Sequence, residues 1–170
     1  MLSVSTGAGA ELPGGFEAPL RVGLETSPVM VGAGDFNGDG RLDLVATDGA
    51  GKVSVLLQSG RSRNEWLKQP AISVGTVTFF ARAGDFDDDG DDDLVAADPG
   101  TSAWYLEGLG DGTFKAGRRI SGSDRARWVA AADWNGDGKL DLASANFRNM
   151  TCSVYRGDGD GTGAFCRNPS

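Results

Sequence analysis

Nine residues recur three times along this chain, and that recurrence limits its fold more than any other feature. They read Asp35-Phe36-Asn37-Gly38-Asp39-Gly40-Arg41-Leu42-Asp43 in the first copy. The second is Asp85-Phe86-Asp87-Asp88-Asp89-Gly90-Asp91-Asp92-Asp93, and the third is Asp133-Trp134-Asn135-Gly136-Asp137-Gly138-Lys139-Leu140-Asp141. Their starts lie 50 and 48 residues apart. A period of this length means that one supersecondary unit is built three times and that each copy packs against its neighbours.

Oxygen-bearing side chains at alternate positions of a tight turn are what a hard cation such as Ca²⁺ needs. Every copy has Asp at position 1, Asp or Asn at 3, Asp at 5, Gly at 6 and Asp at 9. The pattern predicts one Ca²⁺ per loop, about three ions in all. The ligands expected are Asp35, Asn37, Asp39 and Asp43; Asp85, Asp87, Asp89 and Asp93; and Asp133, Asn135, Asp137 and Asp141. The backbone carbonyls of Arg41, Asp91 and Lys139, at position 7, can each add an oxygen. A plain Asp/Gly surface turn would need no metal, but turn propensity does not produce three in-register copies. The loop is not an EF-hand, whose bidentate Glu stands at position 12. That place holds Ala46, Ala96 and Ser144.

Charge follows the loops. The chain of 170 residues carries 24 acids, 16 bases and a net charge of −8. Thirteen of the acids lie inside the three loops, and three bound Ca²⁺ would bring the net charge to −2. Such a surface excludes nucleic acid as a partner, which calls for a basic face. No stretch is apolar for the length of a membrane span. Met1 to Thr6 has neither a basic region nor a long apolar run, so it is not a secretion signal. The expectation is a chain from which a signal has been removed, or a piece of something longer.

Around each loop the same order of short apolar segments returns. Residues 29–34, 79–84 and 127–132 precede the loops and are rich in Gly and Ala near their ends. They suit an innermost strand where backbones crowd. Leu44-Val45-Ala46, Leu94-Val95-Ala96 and Leu142-Ala143-Ser144 follow the loops as second strands. Third strands are expected at 53–57, 103–106 and 152–155, and outer strands from Trp66 to Val74 and from Phe114 to Ile120. Phe16, Trp66, Phe114 and Phe165 open the outer strands and repeat the period independently of the aspartates. No segment sustains a helical period. The reading is all-β, with β-propeller-type blades in three repeats of four antiparallel strands. A β-sandwich is the alternative, but it gives no reason to repeat a metal loop. The whole chain, 1–170, reads as a single repeat domain. It divides into a partial blade of strands three and four at 1–24 and repeats at 25–74, 75–122 and 123–170, the last with an incomplete outer strand. The ring at loop position 2 (Phe36, Phe86, Trp134) is expected to fold under its loop into the blade.

The run 132–142 around Asp133, together with Gly110-Asp111-Gly112-Thr113-Phe114, resembles the FG-GAP/VCBS repeat family. Those repeats are the blades of integrin-α-like β-propellers in secreted and cell-surface proteins. The resemblance spans about residues 2–166 and implies calcium at the ligand positions named above, with partners docking on exposed loops. It implies an extracellular or cell-surface location. Blade number departs from the pattern: closed propellers need at least four blades. A partial propeller, a fragment of a larger one, or a homo-oligomer that completes a ring with its own copies is expected, because free sheet edges are avoided.

The chain has no histidine, and no nucleophile has a visible base beside it. A non-enzymatic module for a glycan or protein ligand is the expectation, with an accessory module of a secreted hydrolase as the alternative. For a lectin-like site the candidates are Trp104, Tyr105, Trp128 and Tyr155, against the simpler reading that they are blade core. Arg156-Gly157-Asp158 matches an adhesion tripeptide, though a Gly-Asp-Gly turn accounts for it. Arg118, Arg119, Arg125 and Arg127 form either a patch for an anionic partner or a solvated face. Cys152 and Cys166 flank the turn-rich run 157–163. They either face each other across a hairpin as a disulfide or stand as two unpaired small residues.

Overall fold

A computed structural model describes residues 5–6, 19–60, 65–160 and 166–167. Among them there is no helix, and every strand pairing is antiparallel. The first full sheet runs β3 (Pro28–Gly34), β4 (Asp43–Asp48), β5 (Lys52–Gln58) and β6 (Trp66–Lys68), with β7 (Ile72–Ser73) also on β5. The second runs β8 (Phe80–Gly84), β9 (Asp93–Ala97), β10 (Ala103–Leu106) and β11 (Arg118–Arg119). The third runs β12 (Ala126–Ala132), β13 (Asp141–Asn146), β14 (Thr151–Arg156) and β15 (Cys166–Arg167). A small pair, β1 (Ser5–Thr6) with β2 (Leu20–Arg21), precedes them. Strand order follows chain order in each sheet, as in a propeller blade, and each Asp loop joins strands one and two.

The outer strands differ from the expectation. The run from Trp66 to Val74 splits into β6 and β7, with Pro70 in the break. Proline has no N–H to give to the ladder. In the second sheet the outer strand shrinks to β11, preceded by a single bridge between Gly108 and Phe114. Phe16 and Phe165, two steps of the aromatic series, lie outside the described residues.

Period-two alternation gives each blade two faces, and the faces meet in two cores. In the first, Phe36, Val45, Val53, Val55 and Leu57 of blade one bury against Ala81, Leu94, Ala96 and Leu106 of blade two. In the second, Phe86, Val95, Ala97 and Tyr105 of blade two bury against Val129, Leu142 and Tyr155 of blade three. Each large apolar side chain so buried contributes about 1.5–3 kcal/mol. Strand β8 lies between β3 and β12, so the inner strands are neighbours across blades. Gly34 serves this crowding: a methyl there would lie 2.7 Å from the Ala83 Cβ and 2.7 Å from Asp92 Oδ2.

The ring at position 2 is buried twice and exposed once. Phe36 is 1% exposed and Phe86 4%, but Trp134 is 50% exposed. The following blade covers the first two. Phe36 meets Phe114 edge-on at 5.5 Å, its carbonyl accepts the Gly112 N–H at 2.7 Å, and Phe86 meets Tyr105 within the second core. Among the described residues no blade follows the third, so Trp134 has no cover.

Strands β14 and β15 pair with Tyr155 opposite Arg167 and Arg156 opposite Cys166. Cys152 sits four residues back along β14, opposite Ala145. That offset is about 13 Å at the strand rise, beyond the ~7 Å Cα limit of a disulfide. The facing-pair alternative is thereby overturned by register, and Cys152 is free and exposed.

Candidate metal centre

Each loop is held by its own side chains in the same way. The position-1 carboxylate accepts the N–H of position 6: Asp35 from Gly40 at 2.7 Å, Asp85 from Gly90 at 3.0 Å and Asp133 from Gly138 at 2.9 Å. Position 3 accepts from position 5, through Asn37, Asp87 and Asn135. Position 5 accepts from position 7, where Asp39, Asp89 and Asp137 take the N–H groups of Arg41, Asp91 and Lys139. Asp and Asn make such bonds to the backbone two residues on. Here they curl the loop and bring its odd-numbered side chains to one side.

The position-9 aspartates do different work. Asp43 and Asp93 are fully buried and Asp141 is 4% exposed. One oxygen of each accepts the position-2 N–H, from Phe36 at 3.0 Å, Phe86 at 3.0 Å and Trp134 at 3.1 Å. The other accepts an N–H just after or at the end of the third strand, from Gln58, Gly108 or Gly157. Position 9 therefore pins the base of the loop to the blade.

Left-handed backbone is required at positions 4 and 6. Gly38 and Gly136 take φ of 65° and 77° at position 4, and Asp88 takes 59° there. Aspartate tolerates this region better than most residues with a Cβ.

The middle loop stands apart. Carboxylate oxygens of Asp85, Asp87 and Asp89 lie within 4.8 Å of one another, the only such acidic group among the described residues. In loops one and three the Oδ1 of position 1 accepts the N–H of position 5. In loop two the corresponding Asp85 Oδ1 is buried with no hydrogen-bond partner among the described residues. A buried lone-pair donor beside two further carboxylates, with no proton donor for it, fits a divalent cation. Burial, and next the charge of Asp89, raises the Asp87 carboxyl above the usual range. Burial pushes Asp93 up to about 6, although the N–H groups of Gly108 and Phe86 and the Tyr105 hydroxyl pull it down. That hydroxyl donates to Asp93 Oδ2 at 2.9 Å and to Asp87 Oδ2 at 3.3 Å, tying position 3 to position 9. In the open third loop, the Gly138 N–H leads the contacts that hold Asp133 below its ordinary value.

Sequence spacing did not reveal a link between loops. Asp92, at position 8, accepts the Asp35 N–H of loop one at 2.8 Å. Leu140 takes the same place in loop three, where its Cδ1 would lie 2.6 Å from a methyl on Gly84. Position 8 is thus the tip with which one loop touches the blade before it. It is Leu42 and Leu140 in the outer copies and Asp92 in the middle one, so the ligand pattern carries no signal for it.

The other candidates separate. Tyr105 and Tyr155 are core, 2% and 0% exposed, and Trp104 packs beside the first core with its Nε1 donating to Thr101 Oγ1. Trp128 is 57% exposed and stacks on Phe80 with centroids 4.0 Å apart. Of the four arginines, Arg118 lies over the Tyr105 ring in blade two and Arg127 over Phe147 in blade three. In the tripeptide, Gly157 is buried, its N–H donates to Asp141, and a methyl there would lie 2.1 Å from the Leu140 carbonyl oxygen. No described helix is long and apolar enough to cross a membrane.

The sequence profile of an FG-GAP-like repeat matches the chain twice, over residues 35–96 and 85–144. Each match begins on the first aspartate of a loop. No curated protein matches the chain.

Proposed function

This chain belongs to the FG-GAP-like repeat family, and on that premise we propose that it is a calcium-binding, non-enzymatic β-propeller-type module for extracellular binding or adhesion. The observation that carries the metal reading is Asp85 Oδ1, buried and without a proton donor beside the Asp87 and Asp89 carboxylates. Asp85, Asp87 and Asp89 would hold the ion, with Asp93 and the Asp91 carbonyl as further oxygens. By repetition Asp35, Asn37, Asp39, Asp43 and the Arg41 carbonyl form a second set. Asp133, Asn135, Asp137, Asp141 and the Lys139 carbonyl form a third. A bound Ca²⁺ supplies positive charge that cancels carboxylate repulsion and cross-links the loop. The chain's own residues do the rest: the paired turns curl the loop, and the position-9 aspartates fix it to strands one and three.

Ligand binding to the native state alone raises apparent stability by mass action. Thermal unfolding in millimolar Ca²⁺ is therefore expected at a higher temperature than in excess chelator, with about three ions bound by calorimetric titration. Coincident melting curves would refute the metal reading. The partner in this proposal is a carbohydrate or protein ligand, which a glycan array run in Ca²⁺ tests directly. A secreted hydrolase's accessory module is the second form this function could take, with its catalysis elsewhere.

A further inference from the structure

A hydrogen bond joins the first two loops. Asp92 Oδ2 accepts the Asp35 N–H at 2.8 Å, across 57 residues of chain. Asp35 is the first expected ligand of loop one. Asp92 stands in loop two between Asp91, whose carbonyl is an expected ligand, and Asp93. Asp93 is itself pinned to blade two by the N–H groups of Phe86 and Gly108. A side chain rooted in blade two therefore holds the backbone of a ligand in blade one. The approach is close: a methyl on Gly34, the residue before Asp35, would lie 2.7 Å from Asp92 Oδ2. Blade two also donates the Gly112 N–H to the Phe36 carbonyl at 2.7 Å. Positions 1 and 2 of loop one are thus both held from the next blade.

The junction between loops two and three differs. There position 8 is Leu140, whose Cδ1 faces Gly84, and a leucine side chain has no atom to accept a hydrogen bond. The same place carries a polar tie at one junction and an apolar contact at the other. Asp92 also stands among charges. Burial raises its carboxyl, the Asp35 N–H opposes that rise, and the charges of Asp35 and Asp85 add to it. The first carboxylates of both loops therefore act on this one side chain.

We propose that Asp92 is a positioning residue for the calcium site of loop one and couples that site to loop two, so that Ca²⁺ in loop two raises the affinity of loop one. The inference rests on the calcium reading above. Asp92 needs no contact with either ion. Holding the Asp35 N–H fixes the direction of the Asp35 Cα–Cβ bond, and with it where the carboxylate stands. The Asp91 carbonyl and the Asp93 carboxylate flank Asp92. Once both are engaged by an ion, Asp92 has fewer positions open to it and holds Asp35 more firmly. Coupling between sites is reciprocal, so Ca²⁺ in loop one tightens loop two by the same factor. Leu140 gives loop three no such tie.

Calcium titration followed by NMR at three equivalent amides reads each loop separately. They are Gly40, Gly90 and Gly138, each of which donates to the first aspartate of its own loop. Two neutral substitutions at Asp92 differ in the acceptor. Asp92→Asn keeps an oxygen for the Asp35 N–H. Asp92→Leu removes it and installs the residue that position 8 holds in the other two loops. Asp92→Leu is expected to weaken binding at Gly40 about tenfold, and Asp92→Asn by less than about threefold, with Gly138 unchanged in both. Asp89→Asn, which weakens loop two without touching Asp92, is expected to lower the affinity at Gly40 as well as at Gly90. Combined with Asp92→Leu it should lower Gly40 no further, which is the signature of coupling in a double-mutant cycle. A Gly40 affinity untouched by Asp92→Leu, or lowered equally by Asp92→Asn, overturns the proposal. So does an effect of Asp89→Asn on Gly40 that is the same with and without Asp92→Leu. Failure of all three amides to respond to calcium would instead overturn the calcium reading, and this inference with it.

Discussion

Asp85 accepts one N–H of its loop where Asp35 accepts two and Asp133 three, and that difference sets the middle loop apart. Residues 85–93 contain seven aspartates and no base, a formal −7; residues 35–43 and 133–141 each contain three and one base, a formal −2. Like charges this close repel, within the limits of screening, and more ligand charge tightens a calcium site. Asp39 is already engaged by the Arg41 guanidinium, and Lys139 reaches the Asp158 carbonyl beside loop three. Asp89→Asn is therefore expected to reduce calcium affinity and calcium-dependent stabilisation more than Asp39→Asn or Asp137→Asn. Calorimetric titration of the three variants decides it; equal losses, or the smallest loss at Asp89, would show that charge does not order the sites.

Between blades, the elements fit because each loop begins where two inner strands nearly touch. Gly34→Ala would place its methyl 2.7 Å from the Ala83 Cβ, a group with nowhere to turn, and Gly84→Ala would crowd the Leu140 Cδ1 at 2.6 Å and meet Phe86 at an ordinary 3.8 Å. Overpacking of the first kind costs about 1–3 kcal/mol, and the second is expected to cost less, since Leu140 can rotate. Denaturant unfolding of the two variants, run side by side, measures the difference. The strand order, the loop positions and most inner-strand bounds were legible in the sequence, because period-two apolar runs alternate with Gly/Asp turns. Three features were not. The split at Pro70 was hidden by reading 66–74 as one outer strand. Asp88 at φ 59° stands where the other loops use glycine, so composition conceals a shared backbone need. Trp134 followed the motif and still came out exposed, because burial at position 2 is conferred by the neighbouring blade rather than by the loop's own residues.

At the scale of the molecule, each blade is secured mainly by the one beside it. All five residues of β9, Asp93–Ala97, are buried, since blade two has a neighbour on either side. Strand β14 alternates between buried and exposed, since blade three has one neighbour among the described residues. Stability in such stacks is the sum of each unit's own stability and its nearest-neighbour contacts. Opening therefore begins at the end unit, and sub-global opening is seen in amide exchange. Hydrogen exchange in the chelated, monomeric chain is expected to be slowest in β9 and β10 and several-fold faster in β13 and β14. Uniform protection across the three sheets would mean that they open as one. With the expected gradient, blade three could peel away under load or protease while the first interblade core stays closed. The exposed Val154 and Trp134 mark blade three as the sacrificial layer among the described sheets.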